Sequence, residues 1–98
     1  MPYNIEFMPD AQEHLGRLTA RQQAILLDKI QEQLHHQPAE ETKQRKKLRP
    51  NPLASWELRV REFRVFFDID EQEQTVFIIA IGRKRRNELY VGNKEFEL

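Results

Sequence analysis

Two stretches in the second half of the chain alternate apolar and polar residues with the period of a β-strand, and they set the reading of what surrounds them. Trp56, Leu58 and Val60 fall on one face of the first, with Glu57, Arg59 and Arg61 on the other, because successive strand side chains point to opposite sides of a sheet. Phe63, Val65, Phe67 and Ile69 alternate in the same way with Arg64, Phe66 and Asp68. Only Arg61 and Glu62 separate the runs, which predicts a tight hairpin turn and sets Arg59 opposite Arg64. Like charges in a directly opposed pair cost stability. The face that collects them is therefore expected to have been shaped by something anionic.

Upstream, Tyr3, Ile5 and Phe7 alternate with Asn4 and Glu6 as a short opening strand. Pro9 suits the first turn of a helix whose buried stripe is Ala11, Leu15 and Leu18. Thr19 is placed to cap a longer helix of about Ala20 to His36. In that helix Ala24, Leu27, Ile30 and Leu34 share a face widened by Ile25 and Leu26, and Pro38 ends it. Residues 39–52 lose all periodicity; they are charged and punctuated by Pro50 and Pro52, and read as an irregular connector. Asp70 to Gln74 form an acidic turn, and Thr75 to Ile81 is almost continuously apolar, as in a central strand. The order strand, helix, helix, three strands predicts an α+β domain: an N-terminal strand and a helical hairpin packed on one face of an antiparallel sheet. The other face is left partly open and carries Arg59 and Arg64. Phe66 shares that open face, either as a platform for stacking bases or, as we favour, covered by the apolar tail residues Phe96 and Leu98.

Ninety-eight residues make one domain, 1–98, able to bury roughly 60 to 65 per cent of its unfolded surface. The absence of cysteine removes disulfides, thiolate nucleophiles and sulfur-bound metals. No apolar run approaches the ~18 residues of a membrane span and the N-terminus lacks the segments of a secretion signal, so a cytoplasmic location without membrane contact is expected. Net charge is zero, yet between Lys43 and Arg86 twelve basic residues stand against six acidic ones. That segregation predicts a molecule with one basic side.

The basic residues fall into three groups. Arg59 and Arg64 suit phosphate recognition, since the planar guanidinium fork matches phosphate oxygens and stays charged. Gly82-Arg83-Lys84-Arg85-Arg86 follows the apolar strand; Lys84, repelled by its arginine neighbours, is the readier proton donor or else a phosphate anchor, and the cluster is otherwise a solvated turn. Lys43, Arg45, Lys46, Lys47 and Arg49 form a patch suited to tracking a phosphate backbone, or a solvated loop. Lys46, Lys47, Arg61, Arg83, Arg85 and Arg86 are the expected RNA contacts. His14, His35 and His36 read as surface residues on the helices, and neither they nor the acidic turn at Asp68, Asp70, Glu71 and Glu73 has the spacing of a metal site. No metal and no cofactor is expected.

The order of elements, with Trp56-Glu57-Leu58-Arg59-Val60, Phe63 to Asp70 and Gly82 to Tyr90, resembles the RelE/ParE superfamily of toxin–antitoxin toxins over essentially the whole chain. The resemblance implies one of two activities: ribosome-dependent, metal-free cleavage of messenger RNA in RelE-like members, or inhibition of DNA gyrase without nuclease activity in ParE-like ones. It implies in both a partner antitoxin that wraps the toxin or displaces its last element. In the RelE-like branch it implies a catalytic set on Arg59, Arg64, Lys84 and Tyr90. Glu57 departs from the pattern, standing where the RNA-cutting prototype carries lysine; an acid there takes over proton transfer, marks a loss of cutting, or simply relieves the repulsion between the arginines. The leading expectation is a type II toxin that inhibits translation as an mRNA interferase. The alternatives are a gyrase inhibitor and a decayed toxin that only binds its antitoxin.

Overall fold

Hydrogen-bonded pairing carries the sheet well past the segments whose apolar pattern announces it. The computed structural model describes residues 2–92 and 94–96. The chain runs β1 (Asn4–Phe7), α1 (Pro9–Gly16), α2 (Ala20–Leu34), β2 (Arg45–Lys47), β3 (Trp56–Val60), β4 (Phe63–Asp70), β5 (Thr75–Arg85), β6 (Glu88–Val91) and β7 (Lys94–Phe96). The strands lie in the order β2-β3-β4-β5-β6-β7, with β1 also paired to β5. That last pair is parallel, Asn4 to Thr75 through Phe7 to Ile78, so the sheet is antiparallel everywhere except at its first strand. Two helices between β1 and the rest of the sheet supply the long crossover that a parallel pair needs.

Both helices start where local chemistry places them. Pro9 occupies the first turn of α1 after an extended Met8. Thr19 and Gln22 form a capping box at α2: the Gln22 N–H donates to Thr19 Oγ1 at 3.1 Å, and the Thr19 N–H to Gln22 Oε1 at 3.0 Å. The buried row of α2 is Leu26, Ile30 and Leu34, while Leu27 is 43% exposed and Ala24 lies in solvent. Two helical rows share Ile30 and Leu34, and apolar spacing alone does not choose between them. The helix is rolled toward its Gln22–Leu26 side, where Gln23 also tucks in by donating from Nε2 to the Leu18 carbonyl.

The connector 39–52 contains β2, whose Lys46 pairs with Glu57; three charged residues in a row carry no apolar signal of a strand. Its first residue was expected in a phosphate-tracking patch and is instead buried. Arg45 Nη1 donates to the carbonyls of Gln33, at 2.9 Å, and of Gln37, closing the C-terminal end of α2, where a cation is favoured. Arg45→Met leaves those carbonyls without their donor and should cost about 1–3 kcal/mol, read as a lowered urea midpoint at unchanged slope; an unshifted midpoint would show the cap to be dispensable.

Two cores result. Between helices and sheet lie Trp56, Leu58, Val60, Phe63, Val65, Phe67, Val76, Ile78 and Ile81 with Ala11, Leu26, Ile30 and Leu34, and Trp56 stacks on Phe67 at 5.9 Å between ring centres. On the other face, Phe66 gathers Ala54, Ala80, Leu89 and Val91, with Leu48, Leu53, Ile79 and Phe96 against them. Phe66 is fully buried there, so it offers no platform to a base; Phe96 packs against the cluster that encloses it, whereas Leu98 falls outside the described residues. A bulge between Phe66 and Phe67, opposite Ile79, turns β5 so that both Ile79 and Ala80 serve this second core. Asn51 fixes the loop above it, its Oδ1 accepting from the N–H groups of Leu53 and Ala54 at 2.8 and 3.1 Å. No helix is long and apolar enough to cross a membrane.

Candidate nucleic-acid interface

The β3–β4 register is the one the two-residue gap predicts. Val60 pairs with Phe63 and Arg59 with Arg64, the turn closing through Arg61 at φ 56°, as a primed hairpin turn requires at its first central position. The row continues from Arg64 to Gly82 on β5 and Val91 on β6. Paired residues share a face, so Arg59, Arg64 and, two positions beyond Gly82, Lys84 all belong to the face away from the helices. Lys46 and Glu57 lie in the adjoining row with Phe66.

Arg64 is mostly buried, and its Nη1 donates to the carbonyls of Arg61 at 2.8 Å and Phe63 at 2.9 Å. It thereby clasps its own hairpin turn. Burial lowers its pKa first, Arg59 lowers it further and Glu57 opposes both; a guanidinium remains charged regardless. Among the described residues the ion pairs within 4.0 Å are Arg17–Glu13, at the end of α1, and Lys29–Glu32, within α2. Arg59, Arg64 and Lys84 thus have no such carboxylate partner among them, and Glu57 acts on Arg64 through space.

Tyr90 is on the opposite face. It pairs with Arg83, which pairs with Phe63, a residue of the core under the helices. Alternation along β5 divides the basic run in the same manner: Arg83 and Arg85 go with Tyr90, Lys84 with Arg64, and Arg86 sits in the turn. The expected crowding of Lys84 by its neighbours is thereby relieved. The four residues of the implied catalytic set are split, three on one face and the tyrosine on the other. Of the remaining expected RNA contacts, Lys46 is exposed beside Glu57, Lys47 pairs with Trp56 at the sheet edge, and Arg61 is exposed in the turn.

Around Tyr90 the sheet and α1 enclose an open cleft of about 1050 Å³, lined by His14, Arg17, Phe63, Arg83, Arg85, Arg86, Glu88 and Tyr90 among others. Arg83 sits over the Phe63 ring, 4.8 Å from its centre. The Tyr90 hydroxyl donates to Glu88 at 2.5 Å, which raises its pKa above the ordinary value and keeps it protonated.

His14 was expected at the surface and is instead half-buried at a junction. β1 pairs along β5 as far as Ile78 and β6 begins at Gly82, which leaves the Ile81 N–H between two partners; His14 Nδ1 accepts it at 3.1 Å. The legible signal was spacing, since Ala11, His14, Leu15 and Leu18 form one helical stripe. Burial lowers the His14 pKa, Arg17 adding to the effect and Asp10 and Glu13 opposing it. The unfolded chain therefore takes up this proton at a higher pH than the folded one. Its contribution to stability is complete above about pH 6.5 and is lost as pH falls through the lower folded value. Thermal unfolding followed from pH 8 to 5 should show a decline that His14→Gln flattens; an identical decline in the variant would exonerate this histidine.

The fold matches solved toxin structures. The toxin–antitoxin complex RelBE2 of Mycobacterium tuberculosis aligns at TM-score 0.74 and 24% identity over 86% of this chain and 93% of that one. The intact Escherichia coli RelBE complex aligns at TM-score 0.65 and 22% identity over 86% and 99% of the two chains, and the isolated Escherichia coli RelE toxin at 0.66 and 22% over 86% of each. No curated protein sequence matches closely enough to count as a relative. The family of ParE toxins of the type II parDE toxin–antitoxin systems matches residues 5–88, from β1 to the first residue of β6. That span takes in both helices, the Arg59–Arg64 hairpin and the basic run after β5, and the chain belongs to this family of type II toxins within the RelE/ParE superfamily.

Proposed function

We propose that the face bearing Arg59, Arg64 and Lys84 takes RNA backbone and that the protein arrests translation by cutting ribosome-bound message without a metal, under the control of a cognate antitoxin. The observation that carries this reading is the Arg59–Arg64 pair, directly opposed and without a carboxylate within 4.0 Å among the described residues. A bound phosphate offsets the repulsion that such a pair otherwise imposes. Cleavage needs the 2′-hydroxyl deprotonated, the charge on the pentavalent phosphorus stabilised and the leaving 5′-oxygen protonated. Arg59 and Arg64 serve the middle task. The carbonyls of Arg61 and Phe63 hold one nitrogen of Arg64 and so aim the rest. Glu57 is the carboxylate on that face within two residues of Arg59 and takes the proton; Lys84 returns one to the leaving group. Tyr90, across the sheet, is outside this step.

The second reading is gyrase inhibition without nuclease activity. It is favoured by the separation of Tyr90 from the three cations, which leaves the open face without the tyrosine of the implied catalytic set, and by Glu57 in place of a cation. A cell-free translation reaction separates the two. Cleaved message that falls by about 10²–10³ in rate with Arg59→Ala, as for loss of one charge-stabilising donor, supports the nuclease. Undisturbed translation together with blocked supercoiling transfers the assignment to gyrase. Arg59 is the better position to change, because Arg64→Ala also unclasps the hairpin turn.

A further inference from the structure

We propose that the cleft between α1 and the β5–β6 hairpin is a second nucleic-acid site, taking a short single-stranded RNA segment on the face opposite Arg59 and Arg64. It deepens the RNA-directed reading of the protein but does not require that the open face cut anything. Four guanidinium groups line it, from Arg17, Arg83, Arg85 and Arg86, against one lining carboxylate, Glu88, which already accepts the Tyr90 hydroxyl. Arg17 is held by Glu13, and Glu95 stands across from Tyr90 at the rim; the surplus remains positive.

The arrangement suits a strand of phosphates better than a single ion. Arg83 and Arg85 are alternate residues of one strand, so their attachment points lie roughly 6.7 Å apart on one face, close to the separation of successive phosphates in an extended single strand. Phe63 under Arg83 limits the freedom of that side chain. Tyr90 stands beside Arg83 as the half-buried aromatic residue of the cleft, and an aromatic ring next to a basic track is the recurrent device for holding unpaired bases. His14 adds a donor of fixed tautomer. Its Nδ1 is occupied by the Ile81 N–H, so the neutral ring carries its proton on Nε2, which lies toward Gly92 at the cleft: a side chain begun at Gly92 would come within 3.4 Å of it. A nucleotide offers acceptors for that proton. An acidic peptide would meet the arginines equally well but has no use for the flat ring, which favours RNA as the occupant.

The test measures binding of a fluorescein-labelled twelve-nucleotide oligouridylate by anisotropy, alongside a labelled peptide of twelve glutamates. Wild-type protein should bind the RNA more tightly than the peptide, and Arg83→Ala with Arg85→Ala should weaken RNA binding at least tenfold. The same number of charges removed from the open face, by Arg59→Ala with Lys84→Ala, should weaken it less. Tyr90→Leu should lose several-fold in affinity for RNA and nothing for the peptide, which charge alone does not explain. Circular dichroism melts confirm that the variants fold, and a 5-iodouridine substitution in the oligonucleotide should photocrosslink to Tyr90. Preference for the peptide, or equal RNA binding by the Arg83/Arg85 variant and wild type, overturns the second site. Loss confined to the open-face variant does so too while leaving the nuclease reading intact. Binding at the cleft with no cleavage in translation extracts does the reverse.

Discussion

Phe66→Ala should lower the free energy of unfolding by about 3–5 kcal/mol, the range for truncating a fully enclosed phenylalanine, and so remove a large share of the 5–15 kcal/mol typical of a domain. The ring has no exposed surface and stands at the middle of a core built from three separate pieces of chain: the loop through Leu53 and Ala54, the β5 residues Ile79 and Ala80, and the β6–β7 hairpin through Leu89, Val91 and Phe96. Its loss opens a cavity that none of these can fill without moving. Urea unfolding gives the magnitude, and amide exchange gives the location. The amides of Leu53, Ala54, Leu89 and Val91 should exchange faster than in wild type by more than those of Val65 or Val76 in the helix-side core. A loss below about 1 kcal/mol, with RNA binding reduced, would mean that Phe66 serves as an exposed stacking ring after all; an exposed aromatic has little effect on stability when truncated.

The reasons some of this could be read from the chain and some could not are physical. Apolar alternation reports burial, so Trp56–Val60 and Phe63–Ile69 announced both their faces and, through a two-residue gap, the register that opposes Arg59 to Arg64. Pairing sustained by hydrogen bonds alone leaves no such trace. β2 is three charged residues, and β5 runs on through Arg83 to Arg85 because β4 and β6 bond it on either side. The face of Tyr90 hangs on one such unannounced pairing. Arg86 and Asn87, both at positive φ (49° and 70°), close a two-residue turn that sets Arg85 opposite Glu88, and a slip of one residue would carry Tyr90 to the other side of the sheet. Likeness of sequence gave Tyr90 a companion in Lys84; strand geometry separates them. Arg45 and Lys46 make the same point within one charge run, adjacent residues turned to opposite sides, one capping a helix and the other exposed.

Alternation also changes what the neutral total charge means. The five residues Gly82 to Arg86 read as one basic cluster in one dimension, but in the sheet they supply two surfaces, Lys84 to the face that carries Arg59 and Arg64 and Arg83 with Arg85 to the α1 cleft. The chain is thus basic on both sides of its C-terminal hairpin, and the turn at Arg86 lies between them. A nucleic-acid strand following the positive potential would pass around this hairpin rather than across a single flat face.

Gly82→Ala should destabilise the protein although strand propensity argues the contrary. Glycine inside a strand ordinarily gives up about 0.5–1 kcal/mol to alanine through backbone entropy, so the substitution taken alone should help. Here a Cβ would lie 2.8 Å from the Tyr90 carbonyl oxygen, 3.0 Å from Val91 Cγ2 and 3.1 Å from Leu89 Cδ1. The two side chains have rotamers to give; the carbonyl belongs to the backbone of β6 and yields only if the strand moves. Forcing extra carbon into such a place costs about 1–3 kcal/mol, which exceeds the entropic gain, and Gly82→Val adds two more methyl groups to the same gap and should cost more. The damage should be confined at first to one half of β5. Protection from amide exchange should fall at Leu89 and Val91 while the β1 pairing of Asn4–Phe7 with Thr75–Ile78 keeps its own. Because β6 carries Tyr90 and Glu88, the same variant should also weaken oligouridylate binding at the cleft, although Arg59 and Arg64 themselves are unchanged. A Gly82→Ala protein as stable as the parent would mean that β6 can back away from β5 at no cost, and the β5–β6 register that assigns Tyr90 to the cleft would lose its support.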